Sequence, residues 1–417
     1  MTENIINRVG ILIQQKKYTE AERLLKDLLN DHPNDAYVLS LLSEVNLQQD
    51  KIENASTLIN SAIGINPEFG HLFYIKARIL IEQDEYDDAE ENIQQALELD
   101  PTDADCFSLW ASIKLARKQY ENALELANKA LELDAENILG LNIRSTALLK
   151  LNNTEEAFKT IEGALREDPN NAYTHSNYGW SLLEKGDHKK ALAHFREALK
   201  NDPNFEYAQA GMVEALKANN IFYKLFLKYS FWIGNLTKKN QWGVIIGFYI
   251  GTRVLKAIAK TNETLQPYLI PVIVLLSIIA FSTWIITPIS NLFLRLNAYG
   301  KHLLNKKEKM SSNFVGVSFL IFLSGVIGYF IASDDKFLTI AVFGFSMMLP
   351  YSAMFSPAKS KYSLMIYAGV MTLIGLGAIL NTFITGEIFN VLTPIFILGF
   401  AAFQWIANYL LIKESNF

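Results

Sequence analysis

Cysteine is almost absent from this 417-residue chain, with Cys106 the only one. A lone thiol excludes an intrachain disulfide, and nothing in the composition points to an oxidising compartment. Histidine is nearly as scarce: six occur, and after His194 only His302 follows, in a polar loop. A serine protease inside a bilayer needs a histidine base, so the Gly-x-Ser of FGFSMM (343–348) has no partner for that chemistry. Acidic residues are missing from every long apolar run, which excludes an aspartyl protease or a carboxylate proton relay there. No Cys/His cluster has metal-ligand spacing, and no Gly-rich loop ends in Lys-Ser/Thr. The first residues, MTENIINRVGILIQQKK, lack the basic flank, unbroken apolar core and cleavage site of a signal peptide. No catalytic residue, cofactor or metal is expected, and the chain reads as non-enzymatic.

What is present divides by position. Residues 1–220 hold 22 Lys+Arg against 37 Asp+Glu, whereas residues 221–417 hold 16 against 6. The acidic half offers no basic stripe for nucleic acid. The basic half carries the long apolar runs. A pI near 5.8 averages two unlike objects.

The acidic half is periodic. Pro33, Pro67 and Pro101 lie 34 residues apart, and after Ala135 the series resumes at Pro169 and Pro203. Ala21, Ala55, Ala89, Ala123, Ala157 and Ala191 keep the same interval. Tyr18, Tyr86 and Tyr120 precede three of those alanines, and Ala62, Ala96, Ala130, Ala164 and Ala198 follow seven residues after five of them. A fixed period of this length predicts stacked helical hairpins. Small residues would let paired helices approach, and each proline would stop the second helix.

The pattern, with EYDDAEENIQQALELDP (85–101) as its clearest example, resembles the tetratricopeptide repeat. The resemblance covers 2–205 as six repeats, with a partial seventh to 218. It implies an all-α superhelical solenoid that binds a protein or peptide partner in a concave groove lined by first helices. The positions expected to face that groove hold Tyr37, His71, Tyr74, Arg78, Asn142, Lys150, Tyr173, Trp180 and Tyr207. Packing against neighbouring repeats stays open as the alternative role of each. The basic clamp by which some members seize a C-terminal carboxylate is not evident: its positions hold Tyr74/Arg78, Ser108/Ser112 and Asn142/Thr146.

A bilayer core takes about 20 apolar helical residues. Runs within 268–292, 314–332, 337–355, 363–384 and 388–412 meet that need, and 242–259 is a sixth candidate despite Arg253 and Lys256. The loop with Arg295, Lys301, Lys306, Lys307 and Lys309 is the strongest positive-inside signal, and Lys359, Lys361 and the tail from Lys413 agree with it. Six spans then keep the repeats and the C-terminus cytosolic, in a multi-pass protein of the cell membrane. Arg253 and Lys256 would snorkel to the outer interface. Residues 219–240 join the halves: Phe222, Leu225, Phe226, Tyr229, Trp232 and Leu236 share one helical face, and Asn220, Lys224, Lys228 and Asn235 another. Leu225 and Trp232 occupy the positions where earlier repeats have alanine, which would block close packing. The segment reads as an interfacial helix that also caps the array, meeting lipid through Phe222, Lys224, Phe226, Lys228 and Trp232. The architecture resembles bacterial membrane-tethered repeat proteins. A tethered adaptor is the expected function, and a transporter or channel regulated by its repeats is the alternative.

Overall fold

A computed structural model describes residues 2–236, 238–296, 300–355 and 362–412. Among them there is no strand. Twelve helices follow the period: α1 (Thr2–Gln14), α2 (Tyr18–Asp31), α3 (Ala36–Gln48), α4 (Ile52–Ile65), α5 (Gly70–Glu82), α6 (Tyr86–Leu99), α7 (Ala104–Ala116), α8 (Tyr120–Leu133), α9 (Ile138–Lys150), α10 (Thr154–Glu167), α11 (Ala172–Glu184) and α12 (His188–Asn201). First helices carry odd numbers and second helices even ones.

The alanine series explains the close hairpins. Ala21, Ala55, Ala89, Ala123 and Ala157 are fully buried. With no larger side chain between them, paired backbones come near enough for a first-helix serine to reach across. Ser43 Oγ donates to the Ala55 carbonyl at 2.8 Å, and Ser145 Oγ repeats the bond to Ala157. Aliphatic side chains four residues after the alanines, such as Leu25, Ile59, Ile93 and Ile161, fill the cores between hairpins. Cys106 is buried here too, and burial, with Asp103 beside it, pushes its thiol pKa well up. An un-ionised, enclosed thiol is inert.

A second periodic feature is backbone strain. Lys16, Asp50, Asp84, Lys118, Asn152 and Gly186, again 34 apart, all adopt positive φ where a first helix ends. The left-handed conformation costs a non-glycine residue roughly 1–2 kcal/mol, yet only one of the six is glycine. Because the residue types differ, this register leaves little trace in the sequence.

The chain divides into two compact units, Met1–Ser181 and Leu182–Phe417. The cut falls within the last turn of α11. The reason lies in the second unit, where α12 packs along α13 (Glu206–Lys217), and α13 in turn meets helices beyond it. The helices after α13 are α14 (Ile221–Asn235), α15 (Lys238–Thr261), α16 (Gln266–Leu294), α17 (Gly300–Leu303), α18 (Lys306–Ala332), α19 (Lys336–Ala353), α20 (Ser363–Thr385) and α21 (Leu392–Ile412), of which α13 meets α16 and α17.

Among the described residues four helices are long and apolar enough to cross a membrane: α16 over Gln266–Thr283, α18, α19 and α20. Helix α15 is long but carries Arg253 and Lys256, with the exposed Arg253 guanidinium over the Tyr249 ring. Helix α21 starts at Leu392, not at 388. Asn390 sets that start: its Oδ1 caps the Leu392 amide, while its Nδ2 donates to the Ala378 carbonyl and Thr382 Oγ1. Pro271, Pro288 and Pro350 sit inside continuous helices. Lys359, Lys361 and the tail from Lys413 lie outside the described residues.

The tightest pair in the second unit is α18 with α19. At Gly344 an added Cβ would lie 2.3 Å from the Phe322 amide nitrogen, and at Gly325 2.3 Å from that of Ala341. Ser318 Oγ donates to the Gly344 carbonyl at 2.7 Å. Small residues with an interhelical hydrogen bond are how helices associate without a hydrophobic driving force.

Candidate functional site

Two regions hold the sequence-derived candidates, one in each unit. In the first unit, Tyr37 on α3 and Tyr173 on α11 are exposed by 42% and 45% of their surface. Each follows a capping residue. Asp35 accepts from the Tyr37 and Val38 amides, and Asn171 from the Thr174 amide, so both helices start at a fixed place. Trp180 and Lys150 are half-buried. On α5 the rings of His71 and Tyr74 stack at 5.7 Å, with the Arg78 guanidinium 5.8 Å from the Tyr74 centroid. Burial, more than the neighbouring charges, raises the Tyr74 phenol pKa.

Two candidates take a different role. Arg78 is engaged by Glu44, 2.6 Å away on α3, because the two sit 34 residues apart at one position of successive repeats. It spans repeats instead of waiting for an acidic partner. Asn142 is fully buried. Its Nδ2 donates to the Ile138 carbonyl and Thr174 Oγ1, and its Oδ1 accepts from Asn177 Nδ2 at 3.0 Å. Thr146 joins the same ladder through Asn177. A polar side chain satisfied on all sides inside the array is packing, and it leaves nothing for a groove. Glu44, Thr174 and Asn177 went unnoticed in the sequence; a search for polar residues one period apart finds only Glu44, 34 residues before Arg78, because Thr174 and Asn177 lie 32 and 35 residues from Asn142.

In the second unit, Tyr207 is 41% exposed at the start of α13, its ring set edge-on to Phe205. The rest of α13 is committed. Val213 and Leu216 form one apolar cluster with Leu294, Leu303 and Leu304, seating α13 on the end of α16 and on α17. Lys217 is buried, its Nζ 3.1 Å from Glu214 and over the Tyr223 ring. The Tyr223 hydroxyl donates to the other Glu214 oxygen at 2.6 Å. Burial, then the Glu214 charge, raises that phenol pKa and keeps the proton on the donor.

Helix α14 begins where Asn220 Oδ1 accepts from the Phe222 and Tyr223 amides. It does not lie along α13 as earlier second helices lie along their first, which fits the bulk of Leu225 and Trp232. Tyr223 and Leu227 are its buried side, and Asn235 Nδ2 donates to Glu184 at 2.8 Å. Phe222, Leu225, Tyr229 and Trp232 form an exposed stripe, Phe222 by 72%. Lys228 is exposed, while Lys224 is half-buried and Phe226 is exposed only in part.

The tetratricopeptide-repeat family model matches residues 74–138 and 144–204, and that of anaphase-promoting complex, cyclosome, subunit 3 matches 14–96. No curated protein matches the chain. Solved structures similar to it include a tetratricopeptide repeat protein from Parabacteroides merdae, at 19% identity and TM-score 0.44, covering 50% of this chain and 81% of that one. A thermophilic repeat protein of the same kind from Thermus thermophilus, TTC0263, is 18% identical at TM-score 0.41, covering 44% and 99%. The 34-residue period, the hairpins it builds and the family match agree, and the N-terminal half of the chain is a tetratricopeptide-repeat array followed by apolar helices long enough to cross a membrane.

Proposed function

We propose that this protein is a membrane-anchored, non-enzymatic adaptor whose repeats gather a protein or peptide partner on the cytosolic side. The observation that carries the reading is the pair of exposed first-helix aromatics, Tyr37 and Tyr173. Large rings held at the surface of a rigid helix array are the usual anchors of an interface. His71, Tyr74, Lys150 and Trp180 extend this surface within the first unit, and Tyr207 is a separate candidate anchor in the second. In this reading the four apolar helices, with α15 and α21, make six spans. The Arg295–Lys309 loop stays inside by the positive-inside rule, and Arg253 and Lys256 reach the outer interface. The exposed stripe of α14 rests in the inner leaflet, with Lys224 and Lys228 toward anionic headgroups.

A photo-crosslinking residue placed at Tyr173 of the full chain, in its own membrane, tests the groove. Irradiation is expected to give a discrete adduct from position 173. The same residue at Glu125, exposed on the second helix α8, should give none. An adduct at 125 and none at 173 would put the partner on the convex side and contradict the reading.

A further inference from the structure

The turn between α11 and α12 and the first half of α14 enclose a cavity of about 290 Å³. Lys185, Lys224 and Lys228 line it, with Glu184 the one acidic residue in the lining. Among the described residues no carboxylate pairs with any of the three lysines. Glu184 is occupied in part by Asn235. Three cations against one anion leave the cavity positive. His188 also lines it, and its Nδ1 is buried with no hydrogen-bond partner. A buried polar atom without a partner is uncommon and asks for one. Gly186, at φ +87°, lets the turn pass close beneath the Lys224 side chain, whose Cε would stand 3.7 Å from a Cβ there. Other residues would be strained at that φ.

We infer that this cavity binds the phosphate headgroup of an anionic membrane lipid. The three lysines meet the charge of the phosphate, the charge-assisted bonding that phosphates favour, with His188 at the cavity wall beside them. Leu225 distinguishes a lipid from a free phosphate. It lines the cavity and also belongs to the exposed stripe of α14, 60% exposed. Only an occupant with hydrocarbon beside its phosphate covers it. The inference rests on the reading of α14 as a surface helix, and it adds a defined headgroup site to a general attraction.

The test uses the full chain in a neutral maltoside detergent, titrated calorimetrically with dihexanoyl phosphatidylglycerol. Dihexanoyl phosphatidylcholine and inorganic phosphate serve as comparisons. Saturable binding of the anionic lipid is expected, with both comparisons weaker by about tenfold or more. The Lys224→Gln/Lys228→Gln pair, and separately Lys185→Gln, should each weaken binding about tenfold, as expected for losing a charge-assisted bond. Lys200→Gln, on the far part of α12, should change nothing. Equal affinity for inorganic phosphate would make this a free-anion site and overturn the lipid. Equal affinity for phosphatidylcholine would reduce it to chain binding, and unaffected variants would place binding elsewhere. Because no bilayer is present, the result is separate from anchoring. If a nitroxide placed at Phe222 of the full chain in vesicles reports water and not lipid, the surface-helix reading fails whatever the titration gives.

Discussion

Gly344→Leu is expected to break the packing of α18 on α19, with a cost above about 3 kcal/mol, the upper end of ordinary overpacking. The usual relief of an oversized core residue is a neighbouring side chain that swings away. Here the first atoms met are backbone: the Phe322 nitrogen and Cα and the Ser318 carbonyl. Relief would require α18 and α19 to separate, which also removes the Ser318–Gly344 hydrogen bond. Gly369→Leu is the matched control, since a Cβ there meets nothing within 4 Å. Thermal unfolding in detergent, followed by size-exclusion profile, should show Gly344→Leu aggregated or melting far below the parent and Gly369→Leu unchanged. Equal behaviour of the two would mean that α18 and α19 do not pack through glycine.

Asn142→Leu is expected to destabilise the array by about 2–3 kcal/mol, the cost of unmaking buried hydrogen bonds and stranding their partners. Leucine is close in size, so the loss is mainly polar. Thr174 Oγ1 and Asn177 each lose a partner one repeat away. The loss should appear as a lower circular-dichroism melt of the full chain, with partner affinity falling only as folding falls. A variant that melts normally and loses its partner would restore Asn142 to the groove. Tyr173 differs in exposure: both residues occupy first helices, but Asn142 is fully buried and Tyr173 is 45% exposed.

The reading from sequence succeeded where chemistry repeats with residue type. Alanine and proline at fixed spacing showed the hairpins because a close helix approach and a helix stop each need a particular residue. Lys16, Asp50, Asp84 and Lys118 show the limit. The same left-handed turn recurs at every one, but the backbone tolerates several residue types there at modest cost. The exposure of the candidate residues was partly legible. Position on a first helix follows from the register, so Tyr37 and Tyr173 could be placed at the helix surface. Which side chains a neighbouring repeat consumes depends on residues in that repeat, as Glu44 does for Arg78 and Asn177 for Asn142. The docking of α13 on α16 and α17 was not visible at all. Val213 and Leu216 look like any amphipathic helix, and their partners lie more than seventy residues on. The start of α21 was missed because hydropathy counts apolar residues, while Asn390 decides where the helix can begin.

The most direct measurement is co-purification of partners from solubilised membranes, comparing the full chain with its Tyr37→Ala/Tyr173→Ala/Trp180→Ala variant. Circular dichroism supplies the folding control, since the packing alanines and turn prolines are untouched. Anchor residues at an interface are worth about 2 kcal/mol or more each, so a specific partner recovered with the parent should be lost with the folded variant. A folded variant that retains every partner would contradict the adaptor reading and leave the apolar helices to account for the function.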